Sequence, residues 1–176
     1  MSGHNKWSKI KHKKAAGDAA KSKMFSKLSR LITVESKLAN GDTSSPALRT
    51  AIDKAKSINM PNDTIDRAVK KGVASDTTSM DAVLYEAYGP GGCALLITGL
   101  TDNKNRTAAE IKHILSKNNL SLAAPGAAAW AFTKEDAGWL PNTTTDLNDD
   151  DVEKLERVVS EIEENEDVQE VFTNAS

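Results

Sequence analysis

The chain has 176 residues, of which 39% are hydrophobic and 27% charged, with a formal net charge of -2. Counting glycine and leaving out tyrosine brings the apolar share to roughly 44%, the lower edge of globular composition, and runs such as Cys93-Ala94-Leu95-Leu96-Ile97 fall far short of the ~20 apolar residues of a membrane helix. One cysteine excludes an internal disulfide, and three dispersed histidines, His4, His12 and His113, supply no standard metal cage.

The near-neutral total hides a division. Residues 1–72 hold 16 Lys and Arg against 6 Asp and Glu, a balance of +10, which leaves -12 on the remainder. The opening is the densest part: Lys6, Lys9, Lys11, Lys13, Lys14, Lys21, Lys23, Lys27, Arg30 and Lys37 face only Asp18 and Glu35. Such crowding costs self-repulsion, which a polyanion relieves by exchanging its condensed counterions for lysines. A solubilising tail is the plainer reading. Trp7 and His12 place an indole and an imidazole among these cations, suited to stacking on unpaired bases; Trp7 could equally plug a helical core. The polar start lacks the apolar region of a secretory signal and is poor in arginine, so a cytoplasmic location is expected.

Beyond Gly17, Phe25, Leu28, Leu31, Ile32 and Leu38 recur at three- and four-residue spacing, with Val34 off the stripe, which predicts a helix whose cations fall largely on its other face. Asn40-Gly41-Asp42 ends it, glycine being free to take the left-handed cap conformation. Ser45-Pro46 opens a second helix with serine as N-cap and proline in the first turn; Leu48, Ile52, Ala55 and Ile58 form its buried stripe. Pro61 interrupts, and a third helix from about Asn62 carries Ile65, Ala68 and Val69 before Lys70-Lys71-Gly72 closes it. Three such helices predict a small bundle, with Lys54, Lys56, Lys70 and Lys71 either ordinary solvent-facing lysines or extensions of the positive surface. Residues 73–80, polar and without period, read as a linker.

Val83–Tyr88 and Ala94–Thr98 are strand-like, joined by Gly89-Pro90-Gly91-Gly92. That loop leads into an apolar strand and has no Walker lysine, so it reads as a hairpin turn rather than a phosphate loop. Thr107-Ala108-Ala109-Glu110 has the form of a capping box for a helix burying Ile111, Ile114 and Leu115. Just before it, Thr101–Arg106 puts Lys104 and Arg106 beside Thr107 at a positive helix end. This is either a secondary anion site or a loop knitted by its own hydrogen bonds. Trp130-Ala131-Phe132 predicts a third strand, residues 149–165 an acidic helix with Val152, Leu155, Val158, Val159 and Ile162 inward, and Val168–Phe172 a fourth strand. The fold expected is therefore multidomain α and α+β: a basic arm and three-helix bundle over 1–72, then a two-layer α+β domain over 81–176 with a four-stranded sheet and two helices. The acidic helix is a solvated outer face, or else repels nucleic acid and so fixes which half engages it.

No HExxH motif, nucleophile elbow or helix-opening glycine loop is present, and Asp149, Asp150 and Asp151 sit where a helix dipole favours acids, so no enzyme, cofactor or metal is expected. Lysine-dominated surfaces read backbone more than sequence, which favours structured RNA over a specific DNA operator. An interaction module without nucleic acid would leave the +10 half without a use.

Gly3-His4-Asn5-Lys6-Trp7-Ser8-Lys9-Ile10-Lys11-His12-Lys13-Lys14, running into Lys23-Met24-Phe25-Ser26-Lys27-Leu28, resembles the opening of the YebC family, relatives of the mitochondrial translational activator of cytochrome c oxidase. Tyr85-Glu86-Ala87-Tyr88-Gly89-Pro90-Gly91-Gly92, Thr101-Asp102-Asn103-Lys104-Asn105-Arg106-Thr107 and Glu166-Asp167-Val168-Gln169-Glu170-Val171-Phe172-Thr173-Asn174 are similar to its later motifs, in order. The resemblance implies a helical N-terminal domain with α+β material, no catalytic centre and a role in gene expression. That role is either DNA-binding transcriptional regulation or ribosome-associated help with difficult sequences such as proline runs. Taken with the lysine-dominated surface, the expectation is rRNA or the ribosome as the favoured partner and DNA as the alternative, with no membrane and no small-molecule substrate. The contacts expected lie at Lys6, Trp7, Lys9, Lys11, His12, Lys13, Lys14, Lys21, Lys23, Lys27 and Arg30. Typical members carry a further α/β domain of roughly seventy residues, which is missing here around 134–139. The family motif starts at Gly3, which suggests that no presequence precedes it and agrees with a cytoplasmic address.

Overall fold

A computed structural model describes residues 17–75, 79–135 and 138–176. The chain divides into two compact units, one of Ala15–Asp81 and one built on Ala82–Ser176.

The first unit contains α1 (Asp18–Leu38), α2 (Pro46–Ser57) and α3 (Asn62–Val73). Leu28 and Ile32 from α1, Leu48, Ala51 and Ala55 from α2, Met60 from the turn, and Ile65 and Ala68 from α3 form one buried cluster. Leu38, expected on that stripe, is 75% exposed. It lies six residues past Ile32, about 600° of helical rotation, and so falls well off the buried face. The α1 helix ends as a Schellman motif: Asn40 N–H donates to the Lys37 carbonyl and Gly41 N–H to Ser36. The left-handed residues are Asn40, at φ 49°, and Gly41, at φ 78°. Asn59 plays the same part after α2.

The α1 and α3 helices approach closely because small residues meet there. Gly72 is buried, and a Cβ on it would lie 2.5 Å from the Thr33 carbonyl oxygen and 2.7 Å from Ser36 Cβ. Two hydroxyls tie the pair, Ser36 Oγ donating to the Val69 carbonyl at 2.7 Å and Thr33 Oγ1 to Ala68 at 3.2 Å.

In the second unit the order is β1 (Asp81–Tyr88), a 3-10 turn at Pro90–Gly92, β2 (Ala94–Thr101), α4 (Lys104–Lys117), a 3-10 turn at Ala129–Ala131, β3 (Phe132–Glu135), β4 (Gly138–Pro141), α5 (Asp149–Glu163) and β5 (Val168–Thr173). The sheet has three strands in the order β1-β2-β5, not the four expected, and β3 pairs with β4 in a separate two-stranded ribbon. The β2 and β5 strands are antiparallel, with Leu95 opposite Thr173 and Ile97 opposite Val171, and the register shifts between Thr98 and Gly99. Trp130 and Ala131, expected within a third strand, belong to the 3-10 turn. Their neighbours cover the sheet instead of extending it: Ala128, Ala131 and Phe132 pack on Ala94 and Leu96. On the other face, Leu95 and Ile97 meet Ile111 and Leu115 of α4 and Leu155, Val158 and Ile162 of α5. Alternate residues of β2 thus serve two cores, which explains its unbroken apolar run.

Candidate nucleic-acid interface

On α1 the helical period sorts the cations. Leu28 and Ile32 face inward, while Lys23, Lys27 and Arg30 recur at i, i+4 and i+7, with Lys37 seven further on, and form a row on the opposite side. Lys21, Lys23 and Lys37 are exposed; Lys27 and Arg30 are half-buried. Lys6, Trp7, Lys9, Lys11, His12, Lys13 and Lys14 lie outside the described residues.

Arg30 also lines a groove of about 260 Å³ between α1 and α3, together with Ser29, Thr33, Thr64, Arg67, Ala68, Lys71 and Met80. Thr64, Arg67 and Lys71 are spaced at i, i+3 and i+7 and so share one face of α3. Arg67 bonds Asp63 Oδ2 at 3.3 Å and Thr64 Oγ1 at 3.2 Å. The sequence expectations left Arg67 out; the signal was its place in this polar row, which flanks the apolar stripe of Ile65 and Ala68. A larger concavity, about 500 Å³, lies between α4 and α5, but Glu110, Glu161 and Glu164 line it beside His113, a rim that repels phosphate.

Two of the three residues suggested for a secondary anion site, Arg106 and Thr107, hold an anion of the chain's own. Asp167 Oδ2 accepts from Arg106 Nη2 at 2.8 Å and from Thr107 Oγ1 at 2.7 Å, and lies 3.2 Å from Thr101 Oγ1. Arg106 also bonds Asp102 at 2.8 Å, and the carboxylates of Asp167 and Asp102 raise its already high pKa. These contacts are of the loop-knitting kind, made by Thr107 and by Arg106, whose side chain is 44% exposed. The capping box is corrected as well. The cap of α4 is Asn103, whose side chain accepts from Arg106 N–H, while Thr107 is buried within the helix and Glu110 accepts from Asn165.

A second buried carboxylate organises the loop before β3. Glu86 accepts from the backbone N–H groups of Gly126, Ala128 and Ala129 at 2.6, 2.7 and 2.8 Å. Burial works to raise its pKa, but the three donors outweigh burial and hold the carboxyl below its usual range. Among the described residues no cluster of three or more His, Cys, Asp or Glu could hold a metal, and no helix is long and apolar enough to cross a membrane.

Fold and charge together define a two-unit α and α+β protein whose helical unit carries cations outward on α1 and α3. The chain belongs to the TACO1/YebC family: the family's N-terminal domain matches residues 5–75, and its second and third domain match 80–136 and 133–175. A probable transcriptional regulatory protein of Petrotoga mobilis is 44% identical over 176 residues, covering 98% of this chain and 70% of its own length. A protein of the same description from Fervidobacterium nodosum is 37% identical over 235 aligned positions, covering 99% and 93%. The crystal structure of a conserved hypothetical protein from Aquifex aeolicus superposes with a TM-score of 0.85 at 29% identity, over 97% of this chain and 96% of that one.

Proposed function

We propose that this chain is a non-enzymatic gene-expression factor of the YebC type that binds nucleic acid through its phosphates, with structured RNA on the ribosome as its target. The observation that carries this reading is the cationic row Lys23, Lys27, Arg30 and Lys37 on α1. It continues a segment in which Lys6, Lys9, Lys11, Lys13, Lys14 and Lys21 stand close together. Trp7 and His12 offer rings to unpaired bases within that segment, and the cations exchange for condensed counterions. Because the row on α1 contains no asparagine or glutamine, it reads charge rather than base edges, which favours a folded RNA over a chosen operator. The reading needs no cofactor, metal or small substrate, and it is at home in the cytoplasm.

The β3–β4 ribbon stands where longer relatives carry a further domain. Support comes from the 235 aligned positions of the Fervidobacterium relative against 176 residues here, and from the family match that breaks at 133–136. Residues 1–72 then act as the binding domain and 81–176 as the acidic partner domain. A second reading, a DNA-binding transcriptional regulator using the same cations, is favoured by the printed description of the relatives.

Sedimentation of native lysate through a sucrose gradient at moderate salt separates the two. Comigration with ribosomal particles is the expected result. Recovery only in the free fraction, with preference for one promoter over scrambled duplex of equal length, would favour the second.

A further inference from the structure

We infer that the groove between α1 and α3 is a seat for the phosphodiester backbone of a nucleic-acid strand, gripped by Arg30 from one helix and by Arg67 and Lys71 from the other. The inference rests on the nucleic-acid reading above and adds to it a second, concave contact on α3. Three cations and the hydroxyl-bearing side chains of Ser29, Thr33 and Thr64 converge on about 260 Å³. Two of the cations are arginines, whose planar forks match phosphate oxygens in pairs. Among the described residues no aromatic ring lines the groove, so these side chains select charge and shape rather than a base.

The walls are set before any ligand arrives. The Ser36–Val69 and Thr33–Ala68 bonds, with the close approach at Gly72, fix the spacing of α1 and α3, so little ordering is lost when a strand enters. Arg67 pairs with Asp63 at 3.3 Å, and both side chains are about three-quarters exposed, at 73% and 76%. An exposed pair of that kind contributes little and yields readily to a phosphate. Because Arg30 belongs both to the outward row of α1 and to this groove, a strand running along α1 turns into α3, which gives the bound polymer a direction.

The test uses the full chain and a uniform single-stranded RNA titrated at several salt concentrations. The R67Q/K71Q variant is compared with wild type and with K54Q/K56Q, which makes the same charge change on exposed lysines of α2. R67Q/K71Q is expected to weaken binding about tenfold and to flatten the log–log salt slope by about 1.4, two contacts at roughly 0.7 each. K54Q/K56Q should change affinity less than threefold. Matched thermal melts show that both variants are folded. In a second arm, inorganic phosphate is titrated while the backbone amide resonances of residues 64–71 are followed. Equal weakening by the two variants, or none by R67Q/K71Q while wild type binds, overturns the seat and leaves the wider reading standing. Sub-millimolar inorganic phosphate binding with unchanged RNA affinity assigns the groove to a small phosphate and overturns the strand. Failure of wild type to bind any nucleic acid overturns both.

Discussion

Replacing Glu86 by glutamine tests the carboxylate that holds the loop before β3. The residue is 6% exposed and its two oxygens take three backbone N–H bonds, one from Gly126 on Oε1 and two, from Ala128 and Ala129, on Oε2. A glutamine keeps one oxygen. Oriented toward Ala128 and Ala129, it turns its NH₂ against the Gly126 N–H, so one charged bond is lost and two become neutral. With hydrogen bonds to a charged group worth roughly 1.5–3 kcal/mol and neutral ones about half that, E86Q should cost about 3–6 kcal/mol in urea unfolding. The pH dependence has a definite sign. The folded carboxyl lies below its usual range, so the ionised form is bound by the fold. Its stabilisation is present in full above the unfolded value, about 4.3, and is lost as pH falls through the lower folded value. Wild type should therefore lose stability more steeply below about pH 4.3 than E86Q does. A cost below about 0.5 kcal/mol, the size of an ordinary surface substitution, with parallel acid limbs, would refute the reasoning.

Gly72→Ala should destabilise the helical unit by about 1–3 kcal/mol in the same assay, because the new methyl meets the backbone oxygen of Thr33 rather than a side chain able to move. Asp167→Asn should cost about 2–3 kcal/mol, less than a fully buried pair because the Arg106 side chain is 44% exposed; an unchanged midpoint would show the cluster to be dispensable. Leu38→Lys should shift stability by no more than about 0.5 kcal/mol, as befits a residue 75% exposed. Replacing Lys11, Lys13 and Lys14 by Glu should weaken nucleic-acid binding and flatten its salt dependence, measured by filter retention, and unchanged affinity would remove the arm from the mechanism.

What could be read from the residues follows how local each choice is. The apolar stripe of α1 and the proline that opens α2 are decided within one or two turns, and the structure places helices there. The end of α1 was legible too, although Asn40 rather than the glycine occupies the first left-handed position. The errors arise where a distant partner decides. Thr107 and Asn103 lie four residues apart and either could cap α4. Thr107 is drawn inward by Asp167, sixty residues away in sequence, which leaves the cap to Asn103. Phe132 is bulky enough for a sheet, but pairing with β4 and packing on Leu96 make β3 a cover over the sheet rather than its fourth strand. Arg67 is not legible from the sequence, because a single arginine on an amphipathic helix carries no motif; only the approach of α1 and α3 brings it into a groove with Arg30.

Retention of a single-stranded RNA and of a duplex by the full chain, from low to moderate ionic strength, bears most directly on the claim that the amino-terminal cations meet a phosphodiester polymer. Binding that is tight at low salt, falls linearly on a log–log plot, and is lost when Lys23, Lys27 and Arg30 are replaced by glutamate is the result expected. Absence of retention at the lowest salt, or retention untouched by those three substitutions, would contradict it.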